Sequence, residues 1–363
     1  MKKTLVAVAA MAVVTGAMAQ ATIYGNIDQA YTKSTKTVAS VQTASTVGMS
    51  SYQMGSSAIG VKGEEDLGGG LKASFLHEMG VNTETNTSEI TRQAYVGLSG
   101  NFGAVRVGKQ YSAAFFNMLN ADPFGATGGT GALYVSNVLV GNGAGGDNPL
   151  RQDQAIQYEL PTFAPGLRAV VTKVFAGTDT TDGSGEKTGD SLGYGFVYAS
   201  GPLTAGYTSD SITGQDIAAI ASTAQSSVLN ADGTVTTTAA VAGVDAATGS
   251  KTKLTTMSLS YDLGMAKVSY GDAKIMNSGA GVKTTMYGIA IPMGAATLMA
   301  TQANGKANAL AGDTTLKGTQ YGANYALSKR TIAYFHANNS TSTTVANVVT
   351  KVKGFGLGVH HSF

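Results

Sequence analysis

The sequence predicts an all-β chain, a transmembrane antiparallel β-barrel of about 16 strands. Three observations carry that reading. Apolar and polar residues alternate with period two from one end of the chain to the other. Short turn segments and long polar segments succeed one another strictly. The face that the alternation leaves for polar side chains carries charges that a dry core does not tolerate unpaired.

The first twenty residues set the compartment. "MKKTLVAVAAMAVVTGAMA" has a basic start at Lys2 and Lys3, an apolar stretch from Leu5 and a small-residue close at Ala17-Met18-Ala19. This is the pattern of a secretory signal peptide over 1–19, cleaved so that the mature chain starts at Gln20. The alternative is a short membrane anchor. After Gln20 no apolar run approaches the length of a spanning helix. Removing Lys2 and Lys3 takes the count from 24 basic and 22 acidic residues to 22 of each, so the mature chain is formally neutral. No basic patch argues for nucleic acid as a partner. Only 13% of residues are charged, against about a quarter in soluble domains. The mean hydropathy is nevertheless only +0.05. Low charge without long apolar runs suits a wall whose two faces differ.

The strands read as follows. "TIYGNIDQAY" puts Ile23, Gly25 and Ile27 on one face and Tyr24, Asn26 and Asp28 on the other. "AIGVKGE" sets Ile59 and Val61 against Lys62 and Glu64. Around "QAIQYEL", Ile156, Tyr158 and Leu160 oppose Asp153, Gln157 and Glu159. Between strands, the short connections are 65–70, 99–103, 161–166, 200–202, 262–264, 292–295 and 327–329, each rich in Gly, Pro, Asn, Asp or Ser. The long ones lie near 33–55, 81–89, 112–150, 177–189, 211–250, 275–282, 305–315 and 341–350. Seven short turns and eight long loops need sixteen strands, with turns at one rim and loops at the other. A sandwich would bury Lys62, Arg92, Arg151, Asp153 and Gln157 in a dry core, whereas a water-filled lumen solvates them. Closure then satisfies every backbone group inside the bilayer.

The 112–150 segment is too long for an ordinary hairpin connection. It carries Phe115, Phe116, Met118, Leu119 and Phe124, so it packs against something: inward on the barrel wall, or outward as a lid or subunit contact. The 211–250 segment is rich in Ala, Ser, Thr and Val and reads as an external loop.

Three stretches, "EDLGGGLKASF" (65–75), "RQAYVGLSGNFGAVRVGKQY" (92–111) and "YALSKRT" (325–331), resemble the motifs of general bacterial porins, best those of the trimeric sixteen-stranded type of β-proteobacterial outer membranes. "IYG" near the start and Phe363 fit the same pattern. The resemblance implies a passive diffusion pore for small hydrophilic solutes and ions, assembled as a homotrimer among outer-membrane lipid and lipopolysaccharide. It also implies a third loop, here 112–150, folded into the lumen of a single barrel domain over 20–363, with acidic groups on the loop facing basic ones on the wall. Arg92 and Arg151 match family arginines at the constriction, and Lys62 shares the inward face. The family often places an Arg four residues before Lys62; here "SSAIGVKG" has Ala58, which weakens the expected anion preference. Asp122 in "NADPFG" is the leading loop acid, unless it merely initiates a turn before Pro123; Asp147 is a second. Lys109 follows Gly108, where a bulge decides its face. Glu64 faces the lumen below Lys62 or pairs with it. Arg168 and Arg330 adjoin short turns and read as rim charges. Phe363 is implied as an address for the barrel-assembly machinery. "GFGLGVHHSF" is the closing strand, with Phe355, Leu357, Val359, His361 and Phe363 on the lipid face.

Catalysis finds no support. The four histidines, His77, His336, His360 and His361, lie in no recognisable signature, and neither G-x-S-x-G nor H-E-x-x-H occurs. With no cysteine, thiolate metal sites are excluded, and no cofactor or metal is expected. Two other roles remain beside the general pore: a substrate-specific channel, and an adhesin or receptor function borne by the external loops.

Overall fold

A computed structural model describes residues 21–84, 87–125, 151–175, 190–217, 226–229, 235–238, 247–277, 280–309 and 312–363. The 1–19 segment, most of 112–150 and Asp147 lie outside the described residues. The chain runs β1 (Thr22–Val38), β2 (Val41–Ser50), β3 (Ala58–Gly68), β4 (Leu71–Asn82), β5 (Thr87–Gly100), β6 (Gly103–Tyr111), a helix α1 (Ala113–Ala121), β7 (Arg151–Glu159), β8 (Leu167–Val174), β9 (Asp190–Ser200) and β10 (Leu203–Ile217). A small separate ribbon, β11 (Ser226–Leu229) and β12 (Val235–Thr238), follows. Then come β13 (Ala247–Asp262), β14 (Lys267–Asn277), β15 (Ala280–Met293), β16 (Ala296–Ala309), β17 (Gly312–Ala326), β18 (Thr331–Thr343) and β19 (Val349–Ser362).

Each wall strand pairs antiparallel with its neighbours, and β1 pairs with β19 from Asn26↔Ser362 to Val38↔Thr350. Gly25 and Phe363 exchange two further main-chain bonds, 3.2 and 3.0 Å, so the seam is closed to its end. β2 and β3 share one wall position: β2 pairs with the far half of β1, and β3 with Thr22–Asn26. The wall is therefore a closed barrel of sixteen strand positions, as the turn count predicts. Closure removes the sheet edge that lipid could not solvate.

The side-chain alternation is inside-out relative to a soluble protein. On β13, Met257, Leu259 and Tyr261 are exposed while Thr256, Ser258 and Ser260 are buried. On β9, Leu192, Tyr194, Phe196 and Tyr198 are exposed, alternating with buried Ser191 and the glycines. The outer face thus offers an apolar belt, and the inner face offers hydroxyls and amides.

All seven short turns fall where the sequence places them, the first at Gly69 and Gly70, whose positive φ values of 61° and 81° favour glycine. The opposite rim departs from the expected pattern of uniformly long loops. Residues 33–55 are largely strand: β1 and β2 continue to a tight turn at Ala39 and Ser40. Likewise β14 and β15 end and begin at Asn277 and Ala280, and β16 and β17 at Ala309 and Gly312. The ladders continue beyond the apolar belt, where polar side chains on both faces are in water and hydrophobic period no longer marks a strand.

Candidate functional site: a charged row on the inner wall

Six side chains form a connected row across the contiguous strands β1 and β3 to β7. The Lys62 ammonium stands 5.0 Å from the Tyr24 ring centroid. Tyr24 donates its hydroxyl to Glu78 Oε2 at 2.7 Å. Arg92 Nε donates to Glu78 Oε1 at 2.7 Å, and Arg92 Nη2 donates to the Tyr111 hydroxyl at 2.7 Å. The Arg151 guanidinium lies 5.5 Å from the Tyr111 ring, which Arg92 approaches to 5.9 Å. The row brings together three of the residues singled out in the sequence, Lys62, Arg92 and Arg151, and adds Tyr24, Glu78 and Tyr111. Three cations and one carboxylate give it a net positive charge.

Local backbone irregularity sets the direction of Arg92. Val96 and Leu98 are exposed on the outer face, so simple alternation would turn Arg92 outward too. The register between β4 and β5 shifts between Glu78↔Gln93 and Met79↔Thr91, leaving Arg92 as the extra residue of a bulge. A bulge re-aims a side chain, and here it carries the guanidinium to Glu78 and Tyr111. On β3 the inward face holds Ala58, Gly60 and Lys62; Ala58 is buried, so Lys62 is the one cation of these three positions.

The remaining candidates have other partners. Glu64 pairs with Lys72 at 2.6 Å, not with Lys62. Lys109 pairs with Asp153 at 2.9 Å; it lies between Gly108 and Gln110, where the register of β6 with β7 shifts, and shares the parity of outward Val107. Asp122 caps the end of α1 and accepts the Phe124 N–H at 3.0 Å on Oδ1, the turn-initiating geometry. Arg168 bonds Glu159 at 2.9 Å, and Arg106 reaches the same carboxylate at 3.3 Å. Phe363 closes the seam. His77 and His361 are exposed strand residues. Among the described residues no cluster of His, Cys, Asp or Glu forms a metal site.

Helix α1 starts at Ser112, whose hydroxyl accepts the Phe115 N–H at 3.2 Å, and stops at Asp122-Pro123. Ala114, Met118 and Ala121 form its buried stripe, packed with Leu254, Ile275 and Met286 of β13 to β15. Asn117 fastens it: Nδ2 donates to Thr256 Oγ1 at 2.7 Å, and Oδ1 accepts from Ser258 Oγ at 2.5 Å. A Cβ on Gly206 would stand 1.9 Å from that Asn117 oxygen, so β10 needs glycine there. Beyond the helix, Ala121 O accepts from Ser269 at 2.7 Å, and Phe124 meets the His336 ring edge-on at 4.9 Å. Residues 112–124 thus run from β6 to β14 and then β18. Tyr111 stacks on Phe115 at 4.2 Å, joining the charged row to the helix. The recess bounded by Tyr95, Arg106, Tyr111, Phe116, Gln157 and Thr208 measures about 290 Å³.

A second inner cluster centres on Asp28. Its Oδ2 accepts the N–H groups of Gln53, Met54 and Gly55 at 2.8, 2.7 and 3.2 Å, and Oδ1 accepts the Tyr334 hydroxyl at 2.5 Å. This carboxylate pins the 51–57 connection between β2 and β3 to the inner wall. In the sequence Asp28 reads only as an inward residue, because its partners lie 25 and 306 positions away.

Comparisons with known proteins agree with this architecture. The family model for Gram-negative porins matches residues 6–345. The chain is 34% identical over 210 residues to outer membrane porin protein 32 of Delftia acidovorans, covering 56% of this chain and 58% of that protein. It is 33% identical over 204 residues to the major outer membrane protein P.IB of Neisseria gonorrhoeae, covering 53% of each. The chain thus spans little more than half the length of these curated relatives. Among solved structures, the anion-selective porin from Comamonas acidovorans superposes with a TM-score of 0.75 at 24% identity, covering 95% of this chain and 100% of that one.

Proposed function

The chain belongs to the Gram-negative porin family, and from that premise we propose that it forms a water-filled channel in the outer membrane through which small hydrophilic solutes and ions diffuse passively. The observation that carries this reading is the row Lys62–Tyr24–Glu78–Arg92–Tyr111–Arg151 on the inner face of a closed barrel. Opposite it, the described inner face of β13 to β17 carries neutral polar side chains at Thr284, Thr301 and Gln320, while Thr256 and Ser258 are covered by α1. A solute passing the row meets fixed cations on one side only, and that asymmetry sets the charge bias of the passage.

Residues 112–125 narrow the passage. The attachment of α1 to the inward-facing Thr256 and Ser258 supports this, since a segment leaving β6 reaches those strands across the lumen. The charge bias is a modest preference for anions. Arg92 is ion-paired with Glu78, and Ala58 leaves out a cation of the family ladder. Asp122 contributes to the loop turn first and to the field second. The barrel assembles as a homotrimer after removal of 1–19, is inserted with the help of Phe363, and performs no catalysis.

Single-channel recording in planar bilayers tests the proposal. The expected result is stable ohmic conductance with a reversal potential of anion-preferring sign in a salt gradient. Arg92→Ala and Arg151→Ala should each move that potential toward zero. Absence of conductance would overturn the channel, and unmoved potentials in both variants would overturn the site.

A further inference from the structure

The outer wall carries a feature that the channel does not use. On β14, β15 and β16, Lys274, Lys283 and Lys306 occupy one row: Lys274 is the direct cross-strand partner of Lys283, and Lys283 of Lys306. Lys253 on β13 and Lys317 on β17 flank the row diagonally, since Lys274 pairs with Thr255 and Lys306 with Thr315. All five side chains are exposed. Their strand parity is that of the exposed Met257, Tyr287, Leu298 and Tyr321, so they stand on the outer face. Among the described residues two carboxylates pair with them, Asp272 at 3.2 Å from Lys283 and Asp313 at 2.6 Å from Lys306, and Asp190, itself paired with Lys173, lines one recess with Lys253. Five ammonium groups on five adjacent strands, with Lys173 beyond them, thus outnumber the three described carboxylates. Like charges directly opposite each other destabilise a sheet, so this row asks for an external anion.

Its height says which one. Along the outward face of β15, the residues from the short-turn end are Met293, Ile291, Ile289, Tyr287, Thr285 and Lys283. Ten residues at about 3.4 Å each, tilted about 40°, rise about 26 Å, the height of an outer-membrane apolar band. Below the lysines, four residues nearer the short turns, Tyr270 and Tyr287 sit with ring centroids 5.4 Å apart, an aromatic pair on the membrane side of the row. The row therefore lies at headgroup level in the leaflet on the long-loop side, directly above an acyl-chain surface.

We propose that Lys253, Lys274, Lys283, Lys306 and Lys317 form a docking surface for a phosphorylated glycolipid of the outer leaflet. Its phosphates bridge the lysine row, and its acyl chains lie on Tyr287, Ile289 and Ile291. The proposal rests on the outer-membrane placement of the barrel and is independent of conductance through it.

The test uses the full folded protein in detergent, with bis-phosphorylated lipid A as the probe and native mass spectrometry as the readout. Wild type should retain lipid A, and the triple variant Lys274→Gln, Lys283→Gln, Lys306→Gln should lose at least tenfold in occupancy. The double variant Lys351→Gln, Lys353→Gln, which removes charge from the outer face of β19, should bind as wild type. Dephosphorylated lipid A should not be retained. Equal retention by the triple variant, equal loss in the β19 variant, or equal retention of phosphatidylglycerol would overturn the assignment. So would loss of lipid A from wild type on chelation of divalent cations alone, because bridging metal ions would then replace the lysines. Conductance of the triple variant, expected unchanged, separates a failure of docking from a failure of the channel.

Discussion

Replacing Glu78 with glutamine removes one negative charge from the inner row and keeps an acceptor for the Tyr24 hydroxyl. Lys62, Arg92 and Arg151 are then left without the carboxylate that now bonds Arg92 at 2.7 Å. A monovalent ion in the lumen about 8 Å from that carboxylate interacts with it by about 0.5 kcal/mol in water. At 0.1 M salt, with a screening length near 10 Å, roughly half of this survives. The anion gains and the cation loses the opposing term, so their free-energy difference changes by about 1 kcal/mol at low salt and about 0.5 kcal/mol at 0.1 M. The anion-to-cation permeability ratio of Glu78→Gln should therefore rise about fivefold in dilute salt and about twofold at 0.1 M. Reversal potentials across planar bilayers in a fixed salt ratio at several absolute concentrations measure this directly. An unchanged ratio would refute the placement of Glu78 against the ion path. A fall would mean that Arg92 collapses onto the wall once its partner is gone. A rise that does not decline with salt would refute the electrostatic account.

Gly206→Ala places a methyl group 1.9 Å from the Asn117 oxygen and should dislodge α1, costing on the order of 2 kcal/mol in buried hydrogen bonds. Single-channel conductance should rise and become noisier, with Asn117→Ala giving the same phenotype; conductance unchanged in both would sink the constricting role of the helix. Phe363→Ala keeps the two main-chain bonds to Gly25 but removes the ring. It should lower insertion in cells severalfold while refolding from urea into detergent is spared; equal loss in both assays would make the ring a seam-packing group rather than an address.

The fold was legible where one physical rule governs many residues. In the apolar belt each strand must show lipid one face and water the other, so period two survives in the composition and the seven tight turns punctuate it. Above the belt both faces are wet. The hydrophobic signal disappears there although the hydrogen-bonded ladder does not, and the far end of β1, all of β2 and the tip of the β14–β15 hairpin read as loops. Helix α1 was more legible than the loop reading allowed: Ser112 at its start, Asp122-Pro123 at its end and Ala114, Met118 and Ala121 at helical spacing are all local signals.

The site divides along the same line. Lys62 keeps the strand phase of its neighbours, and phase alone assigns it to the inner face. Arg92 does not. Counted back from the outward Val96 and Leu98 it belongs to lipid, where an unpaired guanidinium is costly, and only the bulge against Glu78 and Met79 turns it inward. A family pattern can supply that residue, but its physical reason lies in the pairing of β4 with β5. Glu78 and Tyr111 were invisible for the complementary reason: neither type is distinctive alone, and their meaning comes from facing Arg92 across 14 and 19 positions of sequence. The outer lysines make the same point in reverse. Lys274, Lys283 and Lys306 are scattered in sequence as ordinary surface charges, and hairpin register alone makes them a row. What a β-barrel presents to its lumen and to its lipid is thus set by phase where strands are regular, and by register and bulges where function concentrates charge.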